Sequence, residues 1–157
     1  MIIKMKLWII YICVGIGIVF VIHFTYLFVL SKRSKNWKTT EGEIVSSKMQ
    51  KNDFDEGTMY KAVIQYKYAI EEKEYFSDRI FFGDYIGKNF SKSVKVLVNK
   101  YANEKKVLVY YNPQNHNKSV LETGVQTVIY RELFVGILLL LLSVIMFVKD
   151  DVIFRNL

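Results

Sequence analysis

Apolar and polar positions are segregated along this chain. Leu7 to Leu30 carries no charged residue, and Phe134 to Val148 is a second uncharged run. A helix needs about 20 apolar residues to cross a hydrocarbon core of about 30 Å. The first run meets this with residues to spare. The second is shorter, and Leu133 and Tyr130 extend it toward an interface, with Arg131 able to snorkel. Val125 to Ile129 could continue the same helix. Val135 to Leu142 is apolar on every side of a helix, whereas a surface helix would show a polar stripe. The pattern predicts membrane helices over residues 7–30 and 128–148.

Between them, over 36–124, the period changes to two. Tyr60 to Ile70 alternates Tyr60, Ala62, Ile64, Tyr66, Tyr68 and Ile70 on one face with Lys61, Val63, Gln65, Lys67 and Ala69 on the other. That is the pattern of a half-buried strand. Gly42 to Met49 reads as a strand before it, ending in a loop from Asn52 to Gly57. Glu74 to Ile80 reads as a strand after it, across the break Glu71-Glu72-Lys73, which lacks the usual Asn-Gly turn signal. Phe81 to Asn89 reads as a loop. Ser91 could cap a short helix carrying Val94, Leu97, Val98 and Tyr101 at helical spacing. Val107 to Tyr111 suits a strand covered on both faces. Asn112 to Asn115 is a turn, and Lys118 to Glu122 a last strand. The expected fold class is a membrane protein of α+β type. Two transmembrane helices flank a small β-rich domain of about five strands, a bent sheet or open barrel, with one short helix.

Composition adjusts this picture in two places. The formal charge is +7, and Lys32, Arg33, Lys35 and Lys38 concentrate part of it directly after the first helix. Retention beside an anionic membrane face accounts for such a cluster, at about 1 kcal/mol per basic residue; nucleic-acid binding is not expected. The first run is longer than the apolar segment of a signal peptide and ends in this basic cluster, so a retained anchor is expected. More basic residues flank the central segment than lie in the tails. A cytoplasmic domain with both termini outside follows from the positive-inside rule. The single cysteine, Cys13, lies in the first helix, so neither an intramolecular disulfide nor a multi-cysteine metal site is expected.

Residues able to carry chemistry are few. His23 lies in the first membrane run, where an ionisable residue is a functional candidate by default; a neutral imidazole bonded to a helix carbonyl or to the partner helix, or one simply near the interface, is the plainer alternative. His116 falls in a turn. Asp53, Asp55 and Glu56 lack the remaining ligands of a calcium loop. No nucleophile motif, zinc motif or phosphate-binding glycine loop is present. Tyr60, Tyr66 and Tyr68 are expected in the core. Tyr110 and Tyr111 point to opposite faces of one strand, and Tyr110, Tyr111, Asn112 and Pro113 form the expected contact surface.

Several of these segments, in this order, resemble the family known as domain of unknown function 3592. They are Trp37, Gly42-Glu43-Ile44, Tyr66-Lys67-Tyr68, the helix Val94 to Tyr101, Tyr110-Tyr111-Asn112-Pro113, and Ser119 to Glu122. Glu72 and Glu104 stand at or near two glycines of the family pattern, and His116 replaces a second proline. The resemblance implies a membrane-anchored β domain and no assigned reaction. The expected role is non-enzymatic binding or scaffolding, without a cofactor, with the lipid bilayer and a protein as partners. Binding and neutralising a toxin is an alternative role, and a lipid-acting enzyme at the membrane surface a less favoured one.

Overall fold

The computed structural model describes residues 2–54, 57–84 and 91–155. It divides into two compact units. Residues 1–29 and 127–157 make one, and residues 30–126 the other.

The first unit is a pair of apolar helices. Helix α1 runs Ile2–Ser34 and its apolar span covers Trp8–Ser34. The second span covers Thr127–Lys149. It opens with a 3-10 turn, Thr127–Ile129, and continues as an α-helix, Tyr130–Arg155. The segment before Tyr130 is thus a tighter turn than a plain continuation of the α-helix. Leu, Ile, Val and Phe side chains cover most of both surfaces and are widely exposed. Two helices long and apolar enough to cross a membrane, and exposed rather than buried along their length, suit hydrocarbon better than water.

Among the less exposed positions of α1, Ile10, Cys13, Gly17, Phe20, Phe24 and Leu27 recur alternately three and four apart, with Val14, Val21 and Phe28 beside them. The same alternation runs through Ile129, Glu132, Gly136, Leu139, Ser143 and Met146. That spacing marks a seam of the kind two supercoiling helices share. The seam is rich in small and polar residues, as membrane helix pairs require for close approach.

The second unit is a five-stranded antiparallel sheet with one helix. The strands are β1 Lys38–Phe54, β2 Gly57–Ile70, β3 Lys73–Ser77, β4 Lys106–Asn112 and β5 Asn115–Val120, ordered β3-β2-β1-β4-β5. Helix α2, Ser91–Lys100, lies between β3 and β4 in sequence. The α+β class with two apolar helices flanking the sheet is as expected.

The alternation in β2 sets the inner face. Ile64, Tyr66, Tyr68 and Ile70 are buried there with Ile44, Val109, Ile80, Tyr101 and Leu121. Tyr60 does not join this core. It sits on the distal part of the β1–β2 hairpin, beyond the pairing of β1 with β4 and of β2 with β3, where it is only half-buried. The hairpin is longer than its sequence suggests. Pairing continues through Asn52↔Met59 to Phe54↔Gly57, in place of the expected loop from Asn52 to Gly57. Asp55 and Glu56 of that segment lie outside the described residues.

Two other expectations are revised, and a third is met only as far as the described residues reach. Strand β5 starts at Asn115, so only Pro113 and Gln114 are left between the strands of its hairpin. The side chain of Asn112 holds this turn by accepting the Gln114 N–H at 2.9 Å. Strand β4 is covered on one face only. Val109 is fully buried, but Leu108 is 50% exposed. The loop expected over Phe81 to Asn89 is described only to Asp84, where the Asp84 carboxylate accepts the Ile80 N–H at 2.5 Å.

The sheet curls. Its end strands, β3 and β5, come into contact through Tyr75 and His116, whose rings meet edge to face at 5.8 Å. Tyr66 of β2 hydrogen-bonds Ser119 of β5 at 3.0 Å, and Tyr68 donates to the His116 carbonyl at 2.5 Å. Phenol hydroxyls reaching across the interior tie β5 to β2, so the curved sheet is closed by side chains rather than by a backbone ladder.

Candidate contact surfaces and polar clusters

The residues expected to form a contact surface lie at the β4–β5 hairpin. Tyr110 pairs with Thr39 and Val120, and Tyr111 with Lys38 and Ser119. As neighbours in a strand they point to opposite faces. Tyr111 packs against the core and meets the His116 ring at 5.5 Å. Tyr110 lies on the outer face, and both rings are half-buried. Pro113 is exposed at the turn, while Asn112 is half-buried with its side chain occupied. The four residues therefore split between structural work and exposure, and Tyr110 and Pro113 carry the accessible part.

The outer face of the sheet offers a broader surface. Glu41, Gly42, Glu43, Lys67, Tyr68, Ala69, Glu74 and Lys106 line a shallow depression there of about 220 Å³. The register explains its charge pattern. Glu43 stands opposite Lys67 on one side and Lys106 on the other. Lys67 closes an ion pair with Glu43 at 3.3 Å. Phe76, 65% exposed, continues the row beyond Lys67, and Leu108 stands beside Glu41. Isolated exposed apolar side chains are ordinary. Here they flank the charged rows at the β3 and β4 ends of one face.

Residues of the basic cluster are all exposed but occupy different structures. Lys32 and Arg33 sit in the last turn of α1, where positive charge complements the helix dipole. Lys35 follows the helix and lies near Gly124, its Cε 2.9 Å from where a Cβ on that glycine would stand. Lys38 opens β1. The helix end is fixed by Ser34, whose hydroxyl accepts the Gly124 N–H at 3.1 Å and donates to the Ser31 carbonyl at 2.8 Å.

His23 has a partner that the sequence pattern does not announce. Its Nδ1 lies 2.7 Å from Glu132 Oε2 on the second apolar helix. The Glu132 side chain is only 8% exposed. Of the alternatives for this imidazole, contact with the partner helix is the arrangement present. Thr25, two residues on, turns away and donates to the Val21 carbonyl at 2.8 Å. One signal for Glu132 does exist. It shares the seam spacing with Gly136 and Ser143, four and eleven positions later.

A third polar cluster joins α2 to the segment after β5. Glu122 Oε1 accepts from the Tyr101 hydroxyl at 2.8 Å and from Lys100 Nζ at 2.6 Å. Burial and the adjacent carboxylate both push the Tyr101 phenol well above its ordinary range. Burial likewise pushes Tyr66 up to about 12 and holds Tyr68 above the usual tyrosine value. Asp84 is raised by burial despite the two backbone N–H groups that favour its charged form. The three phenols are therefore neutral donors at physiological pH.

The chain belongs to the family described as Domain of unknown function (DUF3592), whose model matches residues 40–126. The match covers β1 through the segment after β5, which is nearly the whole curled sheet. No curated protein matches the chain.

Proposed function

We propose that this member of the DUF3592 family is a membrane-anchored, non-enzymatic binding or scaffold module that presents the outer face of its sheet to a protein partner. The observation that supports this reading is the division of labour between the two faces. Inside, Tyr66, Tyr68, Ser119, Tyr101 and Glu122 spend their polar atoms tying strands and helix together. Outside, Phe76, Leu108 and Tyr110 accompany alternating Glu and Lys side chains over a shallow depression. Apolar anchors with a charged surround are what protein recognition uses.

Photo-crosslinkers placed at Phe76, Leu108 and Tyr110 of the full-length chain, in its native membrane, test the reading. One stoichiometric protein adduct from these positions, absent from a control at Lys61 on the distal hairpin, is the expected result. Adducts at Lys61 alone, or to lipid alone, would overturn it.

A further inference from the structure

Helix α2 carries two residues that do nothing for the helix. Its inward positions are Val94 and Leu97, and Tyr101, just past its end, joins the core. On the opposite side stand Lys92, Lys95, Val96 and Lys100, and the helix contains no acidic residue. Lys100 and Lys105 have local work at the helix end. Lys100 pairs with Glu122, and Lys105 Nζ donates to the Lys100 carbonyl at 2.8 Å.

Lys92 is different. It lies in the first turn, where the aligned peptide dipoles favour an acid and disfavour a cation. Val96 is different too. It is 64% exposed at the centre of the outward face, where a β-branched residue lowers helix propensity and buries little. Both choices work against the local element, and neither Lys92 nor Lys95 forms an ion pair among the described residues. Local conflicts of this kind point outward, to something that meets the surface.

We propose that the outward face of α2 docks on the headgroups of an anionic bilayer, an inference that rests on the membrane-anchored reading above. Lipid phosphates take the ammonium groups of Lys92 and Lys95, and Val96 enters the headgroup–acyl boundary. An acidic protein would satisfy the lysines as well. The bilayer is favoured because a chain with an apolar span on each side of the domain holds that domain at a permanently high effective concentration of lipid.

The test uses the full-length chain with Cys13→Ser and Val96→Cys, labelled at position 96 with an environment-sensitive dye. It is reconstituted into phosphatidylcholine vesicles with and without phosphatidylserine. The expected result is a blue shift only when phosphatidylserine is present, reversed by salt. Lys92→Gln and Lys95→Gln should each lower the docked-to-undocked ratio about five-fold. Identical spectra in both vesicles overturn the proposal, as does a shift indifferent to salt and to both lysines. So does a shift produced in phosphatidylcholine by added polyglutamate, which would mark an acidic protein surface as the occupant. Flotation of the same samples reports anchoring separately. A chain that fails to float refutes the membrane-anchored reading, whereas one that floats without the shift refutes only the docking of α2.

Discussion

Gly17 of the first apolar helix and Gly136 of the second meet backbone to backbone. A Cβ added at Gly17 would stand 3.1 Å from the Gly136 carbonyl oxygen, and one added at Gly136 would stand 3.1 Å from that of Gly17. Hydrocarbon supplies no hydrophobic drive between apolar helices, so association depends on close packing, and side chains at this crossing would remove it. A methyl group added at Gly15 would meet nothing within 4 Å, so this glycine faces away from the crossing. Gly136→Leu should therefore weaken the helix pair by about 1–3 kcal/mol, the usual cost of overpacking. Gly15→Leu should leave it nearly unchanged. Unfolding of the intact chain in mixed micelles, titrated with SDS, measures both, and equal losses would refute the crossing.

The bond between His23 and Glu132 makes a second demand on the same pair. Glu132 is nearly enclosed, so removing His23 leaves a carboxyl group with one partner fewer in a poorly solvated place. Single replacements His23→Ala and Glu132→Ala should each destabilise the helix pair, and the double replacement should cost less than their sum. Interhelical hydrogen bonds in membranes couple by about 0.6–2 kcal/mol. A double-mutant cycle in the same titration reads the coupling directly. Strict additivity would mean that the two groups do not act on one another.

What the sequence makes legible depends on where its signal is redundant. The β2 strand alternates over many residues, so Ile64, Tyr66 and Tyr68 can be assigned to one buried face from the pattern alone. Tyr60 obeys the same alternation yet sits only half-buried, because periodicity reports a face and not how far the core beneath it extends. The unbroken apolar run of β4 suggests a strand covered on both faces. Leu108 shows that such a run can also serve an exposed face. The pairing of Glu132 with His23 escapes a reading of the sequence because Glu132 lies at the edge of the second apolar run and its partner is distant in the chain. The curl that brings β5 to β2 depends on hydroxyl contacts across the interior, which leave no periodic trace.

Two glutamates with left-handed backbone carry their own expectation. Glu72 has φ 65° and Glu104 has φ 60°, and Glu71 beside Glu72 has φ 51°. Two successive positive φ values between Ile70 and Lys73 are the mark of a tight hairpin turn that Asn-Gly would normally build. Glu104 uses the same conformation to aim its N–H at the Ile44 carbonyl, 2.9 Å away. The backbone holds left-handed geometry at these positions without glycine, the residue that adopts it freely. Each non-glycine residue there costs about 1–2 kcal/mol. Glu72→Gly and Glu104→Gly should each stabilise the sheet domain, by somewhat less because glycine gains freedom in the unfolded chain. Gly42→Ala is the opposing control. Its methyl would stand 2.6 Å from Val109 Cγ2 and 2.7 Å from the Lys67 carbonyl oxygen, so the domain should lose stability. Thermal melting of the full-length variants separates the signs, and a destabilised Glu104→Gly would show that its carboxylate matters more than its backbone.

Alkaline stability should report the buried Tyr66. In the folded domain its phenol is raised from 10.0 to about 12 by burial, against a partial offset from its hydrogen bond to Ser119. Above pH 10 the unfolded chain releases this proton while the folded one retains it, so the folded state binds more protons and stability falls as pH rises. The contribution is whole below pH 10, is lost between about pH 10 and 12, and amounts to about 2–3 kcal/mol over that window. Tyr101 and Tyr68 are raised in the same direction and steepen the same limb. Tyr66→Phe should lower stability at neutral pH, because it deprives the buried Ser119 hydroxyl and the Arg79 carbonyl of their shared partner. It should also flatten the decline between pH 10 and 12. Denaturant unfolding followed across that range measures both effects. An unchanged alkaline slope in the phenylalanine variant would mean that Tyr66 titrates as an ordinary exposed phenol.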